Sequence, residues 1–213
     1  MTTKQQLLIT FIPPAFILVA IAGVSVFFQV RMPAMTQDVT FLGRLHPLAG
    51  VLSSLGIILW SATASICYFA AATLRNTKQG GVFWFLLCSA LLSSYLLFDD
   101  FFRIHEALSR VYLGVSAKAV YAAIGVAVFT YLIAFRRLIL QTRFIVLLLA
   151  IGFLSSSVVM DVIHNPWLMP LGDWQFFFED GAKWLGIASW CSYYAHTSHS
   201  LLVSFFDRLG DAT

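Results

Sequence analysis

The sequence is poor in charge. Only 11% of its 213 residues are charged, whereas a soluble globular domain carries about 25%. Hydrophobic residues make up 60% of the chain, and the mean hydropathy is +0.85. This composition excludes an ordinary water-soluble domain. It predicts a protein that is embedded in a lipid bilayer.

Basic clusters and cysteine pairs are lacking as well. The net charge is only +3 and no run of Lys or Arg occurs, so we expect no nucleic-acid partner. The three cysteines, Cys67, Cys88 and Cys191, lie in apolar runs without CxxC spacing. Because an odd number cannot form a complete set of disulfides, we interpret them as small core residues.

Several common catalytic motifs are also missing. The sequence contains no GxSxG, no HExxH, no P-loop and no dinucleotide-binding fingerprint. A catalytic site therefore has to be sought among ionisable residues on separate segments of the chain.

Long hydrophobic runs are abundant. About 20 apolar residues cross a bilayer as a helix. Six segments qualify, namely 13–30, 47–74, 82–102, 117–135, 144–162 and 176–206. The short connections between them favour antiparallel neighbours. The pattern predicts an all-α integral membrane bundle of about six antiparallel transmembrane helices, with residues 1–213 forming a single transmembrane domain.

The third segment has an amphipathic continuation. Apolar residues recur after it at helical spacing, at Ile104, Ala107, Leu108, Val111 and Tyr112. Charged residues lie between them. This alternation predicts an amphipathic extension at the membrane interface after the third span.

The basic residues indicate an orientation. Seven Lys or Arg residues fall on the side that holds both termini and five on the other side. Because cytoplasmic loops carry an excess of these residues, we expect a multi-pass protein of the cell membrane with cytoplasmic termini.

Ionisable residues collect at three helix ends that this topology places on the extracytoplasmic side. The third segment ends in acids and a histidine, the fifth ends in an acid and a histidine, and the sixth begins with two acids and a lysine. These residues are Asp99, Asp100, Arg103, His105, Glu106, Asp161, His164, Glu179, Asp180 and Lys183. Ionisable groups within spans are costly and usually face the bundle interior in pairs. The pattern therefore predicts that the three helix ends converge.

Helical spacing suggests how these groups pair. Asp99, Arg103 and Glu106 would share one face of a continuous helix. Lys183 lies one turn deeper than the acids that precede it. Because an isolated buried charge is costly, we expect its ammonium group to point into the bundle and to pair with one of three acids. These are Glu179, Asp180 and Asp161.

Carboxylate and imidazole groups from several helices suit a divalent metal such as zinc, which would activate water. The candidate metal ligands are Asp99, Asp100, His105, Asp161, His164 and Asp180. The candidate catalytic residues are Asp100, Glu106, Asp161, Glu179 and Lys183.

Several functions are compatible with such a cluster. The first is a metal-dependent hydrolase or transferase acting on a lipid or lipid-linked head group. The second is a cation- or proton-coupled transporter or channel, and the third is an accessory subunit of a larger membrane complex. The acids and bases could also form only an interfacial salt-bridge network. The expected partners are the lipid bilayer and a lipid-linked substrate, with a homo-oligomer or a partner subunit left open.

Overall fold

The computed structural model describes residues 3–37, 39–75, 77, 80–163 and 174–210, and all regular structure in these residues is helical. Eight α-helices and one π-helix follow one another along these residues. They are α1 (Thr3–Phe27), α2 (Met32–Thr36), α3 (Val39–Leu42), α4 (Val51–Leu74), α5 (Gly80–Phe102), the π-helix (Ile104–Leu113), α6 (Ala117–Ile139), α7 (Phe144–Ile163) and α8 (Trp174–Gly210).

Four of these helices are long and apolar enough to cross a membrane. They are Val51–Leu74, Gly80–Phe102, Ala117–Ile139 and Phe144–Asp161. Such runs fold as helices in a bilayer because a helix satisfies every backbone hydrogen bond within its own segment. A shorter apolar stretch, Pro14–Phe27, lies within α1. The chain is therefore a helical protein suited to a membrane.

The chain divides into two compact units, Met1–Gly50 and Val51–Thr213. In the first unit, α1 begins at Thr3, about ten residues before the predicted start at position 13. Pro13 and Pro14 therefore lie inside the helix, a position that membrane helices tolerate. The large apolar side chains of α1, such as Phe16 and Val19, are exposed, as suits a surface that meets lipid.

In the second unit, α4, α5, α7 and α8 pack around an aromatic core. Helix α8 packs on both α4 and α7, and α4 also packs on α5. Trp60, Phe85, Trp190 and Tyr194 are all less than 2% exposed. The rings of Trp60 and Trp190 meet edge to face, with their centroids 5.8 Å apart. The helices that pack in this core carry ionisable residues near their ends.

Helices α7 and α8 approach each other closely at Gly186. A Cβ atom placed on this glycine would lie 2.9 Å from the backbone nitrogen of Leu154 and 2.7 Å from its Cγ. Glycine is therefore required here by the distance between two backbones, as is common where membrane helices pack tightly.

Helix α6 is attached more loosely. Its cap is formed by Ser116, whose hydroxyl accepts from the backbone N–H of Ala119 at 3.4 Å, and basic residues follow in its last turn. Val126 and Phe129 are about two-thirds exposed. Tyr131 anchors the middle of the helix, because its hydroxyl lies within 2.8 Å of those of Ser89 and Tyr194.

The amphipathic extension predicted after the third span is a π-helix, and it does not continue α5. Helix α5 ends at Phe102, Arg103 takes a left-handed backbone conformation with φ +50°, and a π-helix follows. The prediction that Asp99, Arg103 and Glu106 share one helical face is therefore wrong, because it assumed a continuous helix. In the π-helix His105 and Ser109 are buried. A long π-helix is rare, and π-helical turns are frequent at functional sites.

Candidate functional site

A cavity of about 490 Å³ lies within the second unit, among α4, α5, the π-helix, α6, α7 and α8. Its polar end is formed by the ionisable residues of the helix ends together with one tyrosine. They are Asp99, Asp100, His105, Tyr121, Asp161, Glu179, Asp180 and Lys183. Cavities of about 300–1,000 Å³ are the size that small organic ligands occupy.

An ion pair joins α5 to α8 at this polar end. The ammonium Nζ of Lys183 lies 2.6 Å from Oδ1 of Asp100. The indole Nε1 of Trp60 donates to the other oxygen of the same carboxylate at 2.9 Å. The Asp100 side chain is only 12% exposed. These contacts compensate its charge and fix its orientation from two neighbouring helices.

A second pair, His105 and Asp99, joins the start of the π-helix to the end of α5. Nδ1 of His105 is 2.7 Å from Oδ2 of Asp99, and the backbone N–H of His105 donates to Oδ1 at 3.0 Å. Asp99 and His105 are about 4% and 5% exposed. The left-handed Arg103 turns the chain back so that these residues, six apart, can meet. The carboxylate thereby orients the imidazole ring.

A third pair connects α6 to α7. The hydroxyl of Tyr121 donates to Oδ2 of Asp161 at 2.8 Å. The ring of Tyr121 also lies against the ring of His105, with the centroids 4.8 Å apart. The three pairs thus draw on α5, the π-helix, α6, α7 and α8, and Trp60 adds α4.

Away from the polar end, the cavity continues between α6 and α7 as a mostly apolar channel, whose lining also includes Ser155 and Ser157 of α7. Its lining there includes Val128 and Leu132 of α6 and Ile151 and Leu154 of α7. From Tyr121 to Leu132 the helix advances about 16 Å. Phe129 lines the cavity and is 65% exposed. The apolar part of the cavity therefore lies next to the surface of the bundle.

The predicted site residues fall as follows. Seven of them line the cavity, namely Asp99, Asp100, His105, Asp161, Glu179, Asp180 and Lys183. For Glu106 the structure describes only the backbone, within the π-helix. His164 lies outside the described residues. The partner of Lys183 was predicted wrongly, because Asp100 was not among the three acids proposed for it.

A predicted metal site gains no support from these positions. Among the residues that the structure describes, no group of three His, Cys, Asp or Glu side chains is arranged to hold a metal ion. Asp99, Asp100 and Asp161 each have a protein partner at hydrogen-bond distance. His164, one of the predicted ligands, is outside these residues, so the metal ion stays a prediction.

Sequence reasoning missed two residues of the site, Trp60 and Tyr121. Both lie in apolar runs, where an aromatic residue is readily interpreted as packing. A weak signal was present, because Trp and Tyr in membrane proteins prefer the interface and need a partner for their polar atom when buried. Trp60 lies nine residues inside α4, too deep for an ordinary interfacial tryptophan.

Comparison with protein families gives one match. The model of a family described as "Domain of unknown function (DUF8692)" matches residues 14–197. The chain belongs to this family. No curated protein and no solved structure matches the chain. Every residue that lines the cavity falls within the matched range, so the site is part of the family's domain and not an addition to it.

Proposed function

We propose that the chain crosses the cell membrane six times, through α1, α4, α5, α6, α7 and α8, with antiparallel neighbours and cytoplasmic termini. Contacts between helix ends support the antiparallel arrangement. Asp100 near the end of α5 meets Lys183 near the start of α8, and Asp161 near the end of α7 meets Tyr121 near the start of α6. The seven-to-five distribution of basic residues supports the orientation.

We further propose that the protein is an enzyme, a hydrolase or transferase that acts on a lipid or lipid-linked head group at the extracytoplasmic side. One observation supports this proposal most strongly. A single cavity joins paired ionisable groups at one end to an apolar channel between two membrane helices at the other. A lipid has the same division, with a polar head at one end and a hydrocarbon chain at the other.

The buried pair of His105 and Asp99 supplies acid–base chemistry in this proposal. A carboxylate at Nδ1 favours the tautomer in which Nε2 accepts a proton. In hydrolysis the imidazole takes a proton from water while the water oxygen bonds to the carbonyl carbon or phosphorus of the head group. The imidazolium then returns the proton to the leaving oxygen as its bond breaks.

The remaining polar groups would position the head group. The Lys183–Asp100 pair and the Tyr121–Asp161 pair both present hydrogen-bonding groups to the same cavity. Groups held by neighbouring helices keep their geometry when a ligand enters, which lowers the cost of orienting it. A divalent ion such as zinc is a separate proposal, tested by elemental analysis of the purified protein.

Turnover of bilayer lipids by the purified protein tests the enzymatic proposal. The protein is placed in nanodiscs of defined lipids, and products are followed by mass spectrometry. We expect His105→Gln to abolish product formation. His196→Gln is the matched control, because His196 is an exposed histidine at the other end of α8. Equal rates in the two variants, or no turnover of any lipid by the wild type, would contradict the proposal.

A further inference from the structure

The charge of the cavity lining restricts the ligand. Among the residues that the structure describes, five carboxyl groups line the cavity, against one ammonium group and one imidazole. Arg103, which lies between Asp100 and His105 in the sequence, is exposed and is not part of the lining. The Lys183 ammonium is already paired with Asp100. An anionic head group such as a phosphate or carboxylate would therefore meet a net repulsive field.

The aromatic residues of the cavity lining also bear on the charge of the ligand. Trp60, Tyr121 and Trp190 border the cavity. The faces of aromatic rings attract cations, and this attraction is stronger where water is excluded. Trp60 and Trp190 are each 1% exposed, so the ring among these three that can meet a ligand is that of Tyr121, whose hydroxyl contacts the carboxylate of Asp161.

The structure already contains an ammonium group bound in this way. Lys183 is a primary amine on a hydrocarbon stem, and its Nζ contacts a carboxylate oxygen at 2.6 Å within the cavity. The carboxylate of Asp161, which also lines the cavity, accepts from Tyr121 through one oxygen. A carboxylate offers about four acceptor positions, so Asp161 can also accept from a ligand amine.

We propose that the ligand is a cationic amphiphile, a long-chain amine or an aminolipid. Its ammonium group lies beside Asp161 at the polar end, and its hydrocarbon chain lies in the apolar channel between α6 and α7. This inference rests on the proposed function, because both place a lipid chain in the same cavity.

Four probes that share one hydrocarbon chain length and differ in the head group test the two proposals separately. Hexadecylamine, hexadecanol, palmitate and hexadecyl phosphate are bound to the protein in a neutral detergent, and binding is followed by tryptophan fluorescence. We expect the amine to bind at least about tenfold more tightly than the alcohol, the effect of one additional charge-assisted hydrogen bond. The two anionic probes should bind more weakly than the alcohol.

Substitutions test whether the ammonium group of the ligand contacts Asp161. Asp161→Asn keeps an acceptor for Tyr121 and should reduce the affinity for the amine about tenfold, with the alcohol unchanged. Glu179→Gln, a second neutralisation in the lining, should act in the same direction. Asp207→Asn, at the exposed far end of α8, is the matched control and should change neither affinity.

The outcomes that overturn the inference differ from those that overturn the proposed function. Tighter binding of either anionic probe, or equal binding of amine and alcohol, would exclude a cationic ligand and leave the lipid-binding cavity in place. Binding of hexadecyl phosphate that a chelator abolishes would do the same and would favour a metal ion in the site. If none of the four probes binds, the proposed function fails as well.

Discussion

Replacing Lys183 with methionine removes the positive charge that lies 2.6 Å from Asp100. Breaking a fully buried ion pair costs about 3–5 kcal/mol, whereas an exposed pair contributes about 0–1 kcal/mol. This pair is intermediate, because the Lys183 side chain is 36% exposed and that of Asp100 is 12% exposed. We therefore expect a loss of about 2 kcal/mol in the free energy of unfolding.

For a chain of this length, that loss corresponds to a fall of about 4–8 °C in the unfolding midpoint. Scanning fluorimetry in detergent measures it. Asp100→Asn tests the other partner, and the double variant completes a thermodynamic cycle. The double variant should be about 2 kcal/mol more stable than the sum of the single effects predicts, because neither unpaired charge remains.

The control is Lys118→Met, which removes an exposed lysine from the first turn of α6. It should leave the midpoint unchanged within about 0.5 kcal/mol. If the effects of the two cavity substitutions simply add in the double variant, within the same margin, the two side chains do not interact. The reasoning that links α5 to α8 through this pair would then be refuted.

Three further variants test the packing, the site and the topology. Gly186→Ala should cost about 1–3 kcal/mol of stability because its Cβ would meet the backbone of α7; Gly181→Ala, with nothing within 4 Å, should be neutral or slightly stabilising. Trp60→Phe should lower the free energy of unfolding by about 1.5–3 kcal/mol in the same assay, because the indole N–H of Trp60 donates to the charged carboxylate of Asp100. In a background without native cysteines, Gln141→Cys should be labelled only from the cytoplasm and Val115→Cys only from outside the cell; the reverse result would overturn the orientation.

Helix boundaries could be predicted well where the sequence changes character abruptly. The ends at Leu74 and Phe102 and the starts at Ala117 and Phe144 are the same in the sequence and in the structure. At each of these positions an apolar run meets polar or glycine-rich residues. The start of α1 was predicted too late, because prolines were interpreted as a boundary although a membrane helix can contain them.

The polar pairs could be predicted only in part. The sequence indicates which residues are costly to bury, and hence which must find partners, but not which helices are neighbours. Residues six apart, such as Asp99 and His105, lie on different faces of a continuous helix. Their contact depends on the left-handed backbone of Arg103. Nothing in the side chain of an arginine predicts that conformation, so this pair had no sequence signal.

The attachment of α6 at two heights has a kinetic consequence. Tyr121 holds it to α7, and Tyr131, ten residues further on, holds it to α5 and α8. Between these two points the cavity is bordered by side chains of α6 such as Phe129, which is 65% exposed. A ligand of the proposed kind would then need only side-chain rotation to enter, which takes picoseconds to nanoseconds, and no movement of whole helices, which takes microseconds to milliseconds. The rate of ligand entry should then follow diffusion within the bilayer and not the opening of the bundle.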